Sequence, residues 1–365
     1  MGRQVQIPFV LMRGGTSKAV FLREHDLPDD PAARDRVILS VFGSPDPRQV
    51  DGLGGADILT SKLAIIGPPS RDDADLDYTF AQVSISEPLV SYDINCGNIS
   101  AAVGTYALEE GLVRPDGDVA TVRIHNTTTG SVFVAEVPLE GGEPAVEGDL
   151  TVDGVPGTGA PILLDFAQTV GGATGALLPT GHPVDVLDVP GIGPVEASVV
   201  DIGNLSVFFR ADALGLRGSE APAELEPETL RAFDAVKDAA ARLLGLPAGA
   251  LVPVPAAVSR AAGEESLIAR VVGGRPPAAH KAYPGTVGVC TAVAALIPGT
   301  TVFAVTAQPP PGEPIVIGHP SGVLPIWTRV RAEGEGWAVE QAAYARTARR
   351  LAEGQAYVRR SAWPG

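Results

Sequence analysis

Two side chains able to move a proton stand in glycine-rich surroundings: Lys62, within ILTSKLAIIG, and Cys96, within SYDINCGNISAAVG. Cys96 occupies an Asn95-Cys96-Gly97-Asn98 turn. Ahead of it Ala101, Ala102, Val103, Tyr106, Ala107 and Leu108 recur at helical spacing, and Gly111 reads as the stop. The sulfur therefore falls at a helix N-terminus, where unpaired N–H groups and the positive end of the dipole favour a thiolate and hold an anion. A buried structural thiol beside an ordinary cap is the plainer alternative, but it has no need of Asn95, Gly97 and Asn98. Lys62 lies between Ile58 and Leu59 on one side and Leu63, Ile65 and Ile66 on the other. On an exposed strand face it is merely solvated; partly buried, it favours its neutral form and serves as a general base.

Two further loops have the composition of carboxylate sites, and a third glycine-rich segment precedes a helix in the second half. Arg13-Gly14-Gly15-Thr16-Ser17-Lys18 combines two glycines, which let backbone N–H groups approach a ligand, with hydroxyls and two cations. It lacks Walker A spacing, and a hairpin turn with a solvated lysine is the competing reading. In the second half, His280-Lys281 precedes Tyr283-Pro284-Gly285-Thr286-Val287-Gly288, and Gly318-His319-Pro320-Ser321-Gly322 follows later. The latter is GxxSG and not the GxSxG elbow of a hydrolase; its N–H groups and Ser321 suit a second carboxylate, or it is a simple hairpin connection. His125 and His182 read as a packed strand residue and a loop residue.

The elements that must position these groups are mostly short strands. Strands are expected over 4–12, 77–90, 193–201, 205–210 and 266–272, a hairpin over 119–138, and helices over 29–43 and near 227–244. The second half restates the first: GNISAA at 97–102 matches GVCTAV at 288–293, a glycine followed by a small-residue helix start. In this register Val287 stands opposite Cys96, and Cys290 falls one turn inside the helix as a buried structural thiol. The turn-rich stretch 171–190 is taken as the crossover, giving domains 1–183 and 184–365, with the segment 335–346 returning to the first half.

The net charge of −16 over 365 residues, with no basic run, argues against nucleic acid. An anionic ligand then needs a locally positive site, and Arg13, Lys18, Lys62 and Lys281 are expected to gather there. Two cysteines make no disulfide framework, and without a CxxC no structural zinc site is expected. MGRQVQIPFVLMRGG reads as an amphipathic strand, and no apolar run has membrane-spanning length, so a cytoplasmic protein is expected. Strand edges are compatible with a homodimer.

MRGGTSK near the start, TSK at 60–62, NCGN with AAVG after it, LLPTGxPVDVLDVPG at 177–191, TAVAALIPGT at 291–300 and IGHPSGVLP at 317–325 together resemble the PrpF family. This is the family of 2-methylaconitate cis–trans isomerase, methylitaconate isomerase and 4-oxalomesaconate tautomerase. The resemblance implies an α+β, diaminopimelate-epimerase-like fold: two pseudo-symmetric domains, each a curled sheet around a central helix, with the site in the cleft between them. It further implies cofactor-free, metal-free proton shifts on unsaturated di- and tricarboxylates. The residues implicated there match Lys62 and Cys96 as acid/base groups, and loops at Ser17–Lys18, Gly97–Asn98, Thr286–Gly288 and Ser321–Gly322 as carboxylate holders. Amino-acid epimerases of this fold use one thiol from each half, and Val287 in place of the second argues against their chemistry. A non-catalytic polycarboxylate binder and a Ser321 hydrolase are the remaining alternatives, the latter without a suitably patterned Ser/His/Asp set.

Overall fold

The computed structural model describes residues 4–92, 96–115, 117–247, 249–274, 276–334 and 336–364. In chain order the main elements are β1 (Gln4–Gly14), β2 (Ser17–Arg23), α1 (Pro31–Phe42), β3 (Lys62–Gly67), β4 (Leu76–Val83), α2 (Gly97–Glu109), β5 (Val119–Asn126) and β6 (Ser131–Glu140). There follow β7 (Asp185–Val189), β8 (Gly193–Ile202), β9 (Asn204–Arg210), α3 (Pro227–Leu243), β10 (Val254–Ser259) and β11 (Leu267–Gly273). The chain closes with α4 (Gly285–Ala295), β12 (Ile315–His319), β13 (Gly322–Glu333), β14 (Gly336–Arg346) and β15 (Ala348–Arg359).

Contacts divide the chain into two compact units, Met1–Leu164 with Ala345–Gly365, and Asp165–Tyr344. The crossover expected at 183/184 thus lies earlier, because the turn-rich segment packs on the second unit. Asp201 takes the N–H groups of Ala173 and Thr174 on its carboxylate, at 2.9 and 2.7 Å, and its carbonyl accepts from Gly171 at 2.8 Å. β15 returns to β1, antiparallel from Gln4↔Arg359 to Gly14↔Ala348, while β14 pairs with β13 and its last residues, from Ala345 on, count with the first unit. ARRLAEGQAYVR is too charged and interrupted for period-2 reading to find it.

Each unit repeats one plan. In the first, β1–β2 is antiparallel, β2–β3 parallel, β3–β4 antiparallel, β4–β5 parallel and β5–β6 antiparallel. In the second, β8–β9, β9–β10, β10–β11, β11–β12 and β12–β13 follow the same alternation. α1 and α3 occupy the same place in this order, as do α2 and α4. The central helices are apolar all round, so they must be enclosed: Ile99–Leu108 of α2 and Val287–Ala295 of α4 are buried throughout. α1 has the ends its sequence foretold, with Asp30 accepting from Ala33 N–H at 2.8 Å, Pro31 in the first turn and Gly43 left-handed at the C-cap.

Strand alternation gives the first unit's sheet two faces. Val20, Leu22, Leu63, Ile65, Ala81 and Val83 pack with Val37, Ile38, Val41 and Phe42 of α1. The alternate residues face α2: Phe21 meets Tyr106 with ring centroids 5.0 Å apart. Register places Ala19, Lys62 and Gln82 side by side on that same face, and Phe21, Ala64 and Phe80 in the next row.

Candidate functional site

Cys96 is the N-cap of α2, in extended backbone at φ −125°, ψ 98°. The first helical hydrogen bond runs from Ser100 N–H to Cys96 C=O at 3.0 Å. The N–H groups of Gly97, Asn98 and Ile99 therefore have no acceptor within the helix, and they open toward the sulfur end. Ser17, 1% exposed, holds its Oγ 3.9 Å from Cys96 Sγ. Asn95 lies outside the described residues.

Lys62 is buried, 6% exposed, with its Nζ donating to Gln82 Oε1 at 2.8 Å and lying 5.2 Å from the centroid of the Phe80 ring. The Ala19↔Lys62 register puts it one strand across and two residues along from Ser17. At a rise of about 3.3 Å per residue and a strand spacing of about 4.8 Å, their Cα atoms lie about 8 Å apart. The amine and the Ser17–Cys96 pair thus share one face and one end of the first unit's sheet.

The two cations of the Arg-Gly-Gly loop are placed differently from expectation. Lys18 alternates with Ser17 and shares the α1 face with Val20 and Leu22, and its register partner Arg13 goes with it. Arg13 Nη1 is engaged by Gly15 O at 3.1 Å, Thr347 O at 3.0 Å and Thr347 Oγ1 at 2.9 Å. The glycines admit the chain itself: a Cβ on Gly14 would stand 2.3 Å from Asn98 O, and one on Gly15, at φ +49°, 2.2 Å from Asn98 Oδ1. Gly15 N–H donates to Thr347 O at 2.8 Å, so it is not offered to a ligand. Arg346 is a further cation on the α2 side: its Nε donates to Asn98 Oδ1 at 3.3 Å, while Asn98 Nδ2 donates to Thr16 Oγ1 at 3.0 Å. Arg346 and Gln82 escaped sequence reading because each acts on a residue far off in the chain.

In the second unit, α4 begins at Gly285 after Pro284, with its first bond from Gly288 N–H to Pro284 C=O at 2.8 Å. The N–H groups of Gly285, Thr286 and Val287 are open in the same sense. Gly288 packs closely on Leu324: a Cβ there would stand 2.6 Å from Leu324 Cδ2. Leu324 follows closely on the Pro320-Ser321 turn of the β12–β13 hairpin, whose closing pair is His319↔Gly322. Ser321 is exposed and its N–H donates to His319 Nδ1 at 3.3 Å; Lys281 is exposed ahead of the helix. Helix starts now correct the repeat register: Pro284, rather than Val287, corresponds to Cys96, and Thr286 to Asn98. Ser206↔Val254 is the counterpart of Ala19↔Lys62, so Val254 corresponds to Lys62. This unit therefore offers neither amine nor sulfur at the matching places. Cys290 is fully buried, its Sγ donates to Val200 O at 3.3 Å, and burial pushes its thiol well above the usual range. His125 is a strand residue held by Asp77 Oδ1 at 2.9 Å and Ser70 Oγ at 3.2 Å.

Comparison with known proteins bears on the fold and the family. The family model described as PrpF protein matches residues 4–359. The 3-methylitaconate isomerase of Eubacterium barkeri is 44% identical, over 99% of both chains. The 2-methyl-aconitate isomerase of Shewanella oneidensis is 36% identical, over 96% of both. The crystal structure of a methylitaconate-delta-isomerase superposes with a TM-score of 0.88 at 42% identity, covering 100% of this chain and 98% of that one. The architecture is accordingly α+β and diaminopimelate-epimerase-like. With fold, length and motifs in agreement, the chain belongs to the PrpF family and is an isomerase.

Proposed function

We propose that this isomerase shifts a proton on an unsaturated di- or tricarboxylate of the methylaconitate and methylitaconate kind, without a cofactor, with Lys62 as base and Cys96 as second acid/base. The observation that carries the reading is the placement of Lys62 and Cys96 at one end of the face that packs α2, beside that helix's open N–H groups. A proton α or γ to a carboxylate is weakly acidic, so its removal needs a close base and a stabilised dienolate. Lys62 takes the proton, and the open amides of Gly97 and Asn98 hold the carboxylate on which charge builds. Cys96, oriented by Ser17, returns a proton at a second carbon. Rotation about the transient single bond gives cis–trans isomerisation; reprotonation elsewhere moves the double bond. In the second unit Thr286, Ser321, Gly322 and Lys281 are proposed as carboxylate-holding groups, whereas the Gly288 N–H is spent on Pro284 C=O. Arg13 is assigned to bracing the loop around Ser17.

An amino-acid epimerase needs a second thiol, and neither Pro284 nor Val287 supplies one. The test is turnover of 3-methylitaconate and 2-methylaconitate by the wild type and by Lys62→Ala. Loss of a positioned general base lowers kcat by roughly 10² or more. Wild-type kcat in that variant refutes the assignment, and deuterium entry into amino acids would favour the epimerase.

A further inference from the structure

We propose that Gln82 is the positioning residue for the proton-transfer amine, a neutral acceptor that aims Lys62 without clamping its proton. The proposal rests on the reading of Lys62 as base. Lys62 Nζ donates to Gln82 Oε1 at 2.8 Å. The other end of the same amide is spoken for: Gln82 Nε2 donates to Ser61 O at 2.8 Å and to Ile58 O at 3.2 Å. Turning the amide over would set its oxygen against two carbonyls, so the oxygen must face the amine.

The carbonyls that orient Gln82 belong to a loop that is itself tied down. Ser61 O also accepts from Val83 N–H at 3.1 Å, and Ser61 Oγ donates to Val83 O at 2.9 Å. Gln49, 1% exposed, donates to Ser61 Oγ at 2.8 Å and accepts from Ala56 N–H at 2.8 Å. Gly54 packs on this amide so closely that a Cβ would stand 2.2 Å from Gln49 Cδ. The glycine-rich 51–57 stretch thus fixes the orientation of Gln82, and through it that of Lys62.

A neutral acceptor suits a group that must both lose and hold a proton. Ammonium and amine each keep an N–H to donate, so Gln82 Oε1 serves both forms. A carboxylate at the same distance would favour the charged form and withhold the base. Among the described residues, no carboxylate lies within ion-pair distance of Lys62. The ionisable groups on the elements packed around it are Cys96 at the start of α2, Arg23 of β2 and Tyr106 of α2 farther along the face, Glu109 at the far end of α2, Tyr78 of β4, and Lys18 and Asp77 on the opposite face. Asp57, in the loop behind Gln82, is turned to Leu59 N–H at 2.7 Å.

The experiment is a pH profile of kcat and kcat/KM for 3-methylitaconate turnover with the wild type, Gln82→Glu, Gln82→Met, Gln82→Asn and Lys62→Ala, each checked by circular dichroism. Gln82→Glu is expected to move the acidic limb up by about 1–3 pH units, the usual effect of a carboxylate beside a base. Gln82→Met is expected to lower kcat by about 10–100-fold with KM and the limb unmoved, because the amine is no longer aimed. Gln82→Asn should lie between, a partial rescue by a shorter amide. If Gln82→Glu does not fold, that order of kcat decides the matter. Wild-type kcat and limb in the Gln82 variants, with Lys62→Ala inactive, would make Gln82 purely structural and overturn the proposal. Full activity in Lys62→Ala would instead overturn the reading on which it rests.

Discussion

Replacing Gly14 by alanine tests whether the β1–β2 loop sets the geometry of the α2 mouth. Gly14 is not in a left-handed conformation, so alanine costs no backbone strain there. The clash is the whole effect: the new Cβ stands 2.3 Å from Asn98 O and 3.2 Å from Ala102 Cβ. Ordinary contact begins at 3.4 Å, and 3.4 − 2.3 leaves 1.1 Å to be found. Asn98 O is backbone in the first turn of a buried helix and cannot swing aside, so loop and helix must separate by about that much. Overpacking of this kind costs about 1–3 kcal/mol, a fall of several °C in Tm for a domain of this size. Ser17 and Cys96 lie on opposite sides of the widened seam. A displacement near 1 Å costs roughly 10²-fold in a reaction that depends on near-attack geometry. The assay is kcat/KM for 3-methylitaconate beside a calorimetric melt, below the variant's Tm. A folded Gly14→Ala protein with wild-type kcat/KM would refute the reasoning, since the Ser17–Cys96 approach would then not matter.

Other expectations follow from the same geometry. Cys96→Ser should lower kcat by about 10²–10⁴-fold with an unchanged melt, as expected for a proton-transfer group at a helix end. Thiol reagents should modify half-buried Cys96 and spare fully buried Cys290, whose thiol burial holds protonated; a native titration that counts two reactive thiols contradicts this. Asp201→Asn should destabilise by about 1–3 kcal/mol, because three donors from Ala173 and Thr174 lose a charged acceptor, and urea melts would read it. Ser321→Ala should raise KM several-fold with kcat nearly unchanged, and a fall in kcat alone would move Ser321 out of the binding role.

Local pattern carried much of this molecule. The caps of α1, the Cys96 helix start and the hairpin at 119–138 follow from residue type and period, and the structure places them within a few residues. The strands around α3 are similarly legible, and Lys62 is buried, the alternative that suits a base. What sequence could not carry was pairing at long range. Arg346 meets Asn98 across a separation of 248 residues, and β15 closes on β1 from the far end of the chain. Neither has a local signature. Glycine pairs and cations suggest that the Arg13–Lys18 loop faces a ligand; only the register shows both cations on the other face, with the glycines making room for Asn98. α4 starts three residues ahead of the Gly288 that the pattern suggests, because Pro284, extended at ψ 130°, is an N-cap without a capping side chain.

The central claim is that Lys62 takes a carbon-bound proton from the substrate and that solvent-exchanged groups return one. Proton NMR of 3-methylitaconate turned over in D₂O measures it most directly. The account predicts deuterium on the reprotonated carbon of the product with the wild type, and neither exchange nor product with Lys62→Ala. Product without deuterium, together with no exchange into recovered substrate, would contradict the return of a proton by solvent-exchanged groups. Wild-type deuterium exchange by Lys62→Ala would contradict the claim outright.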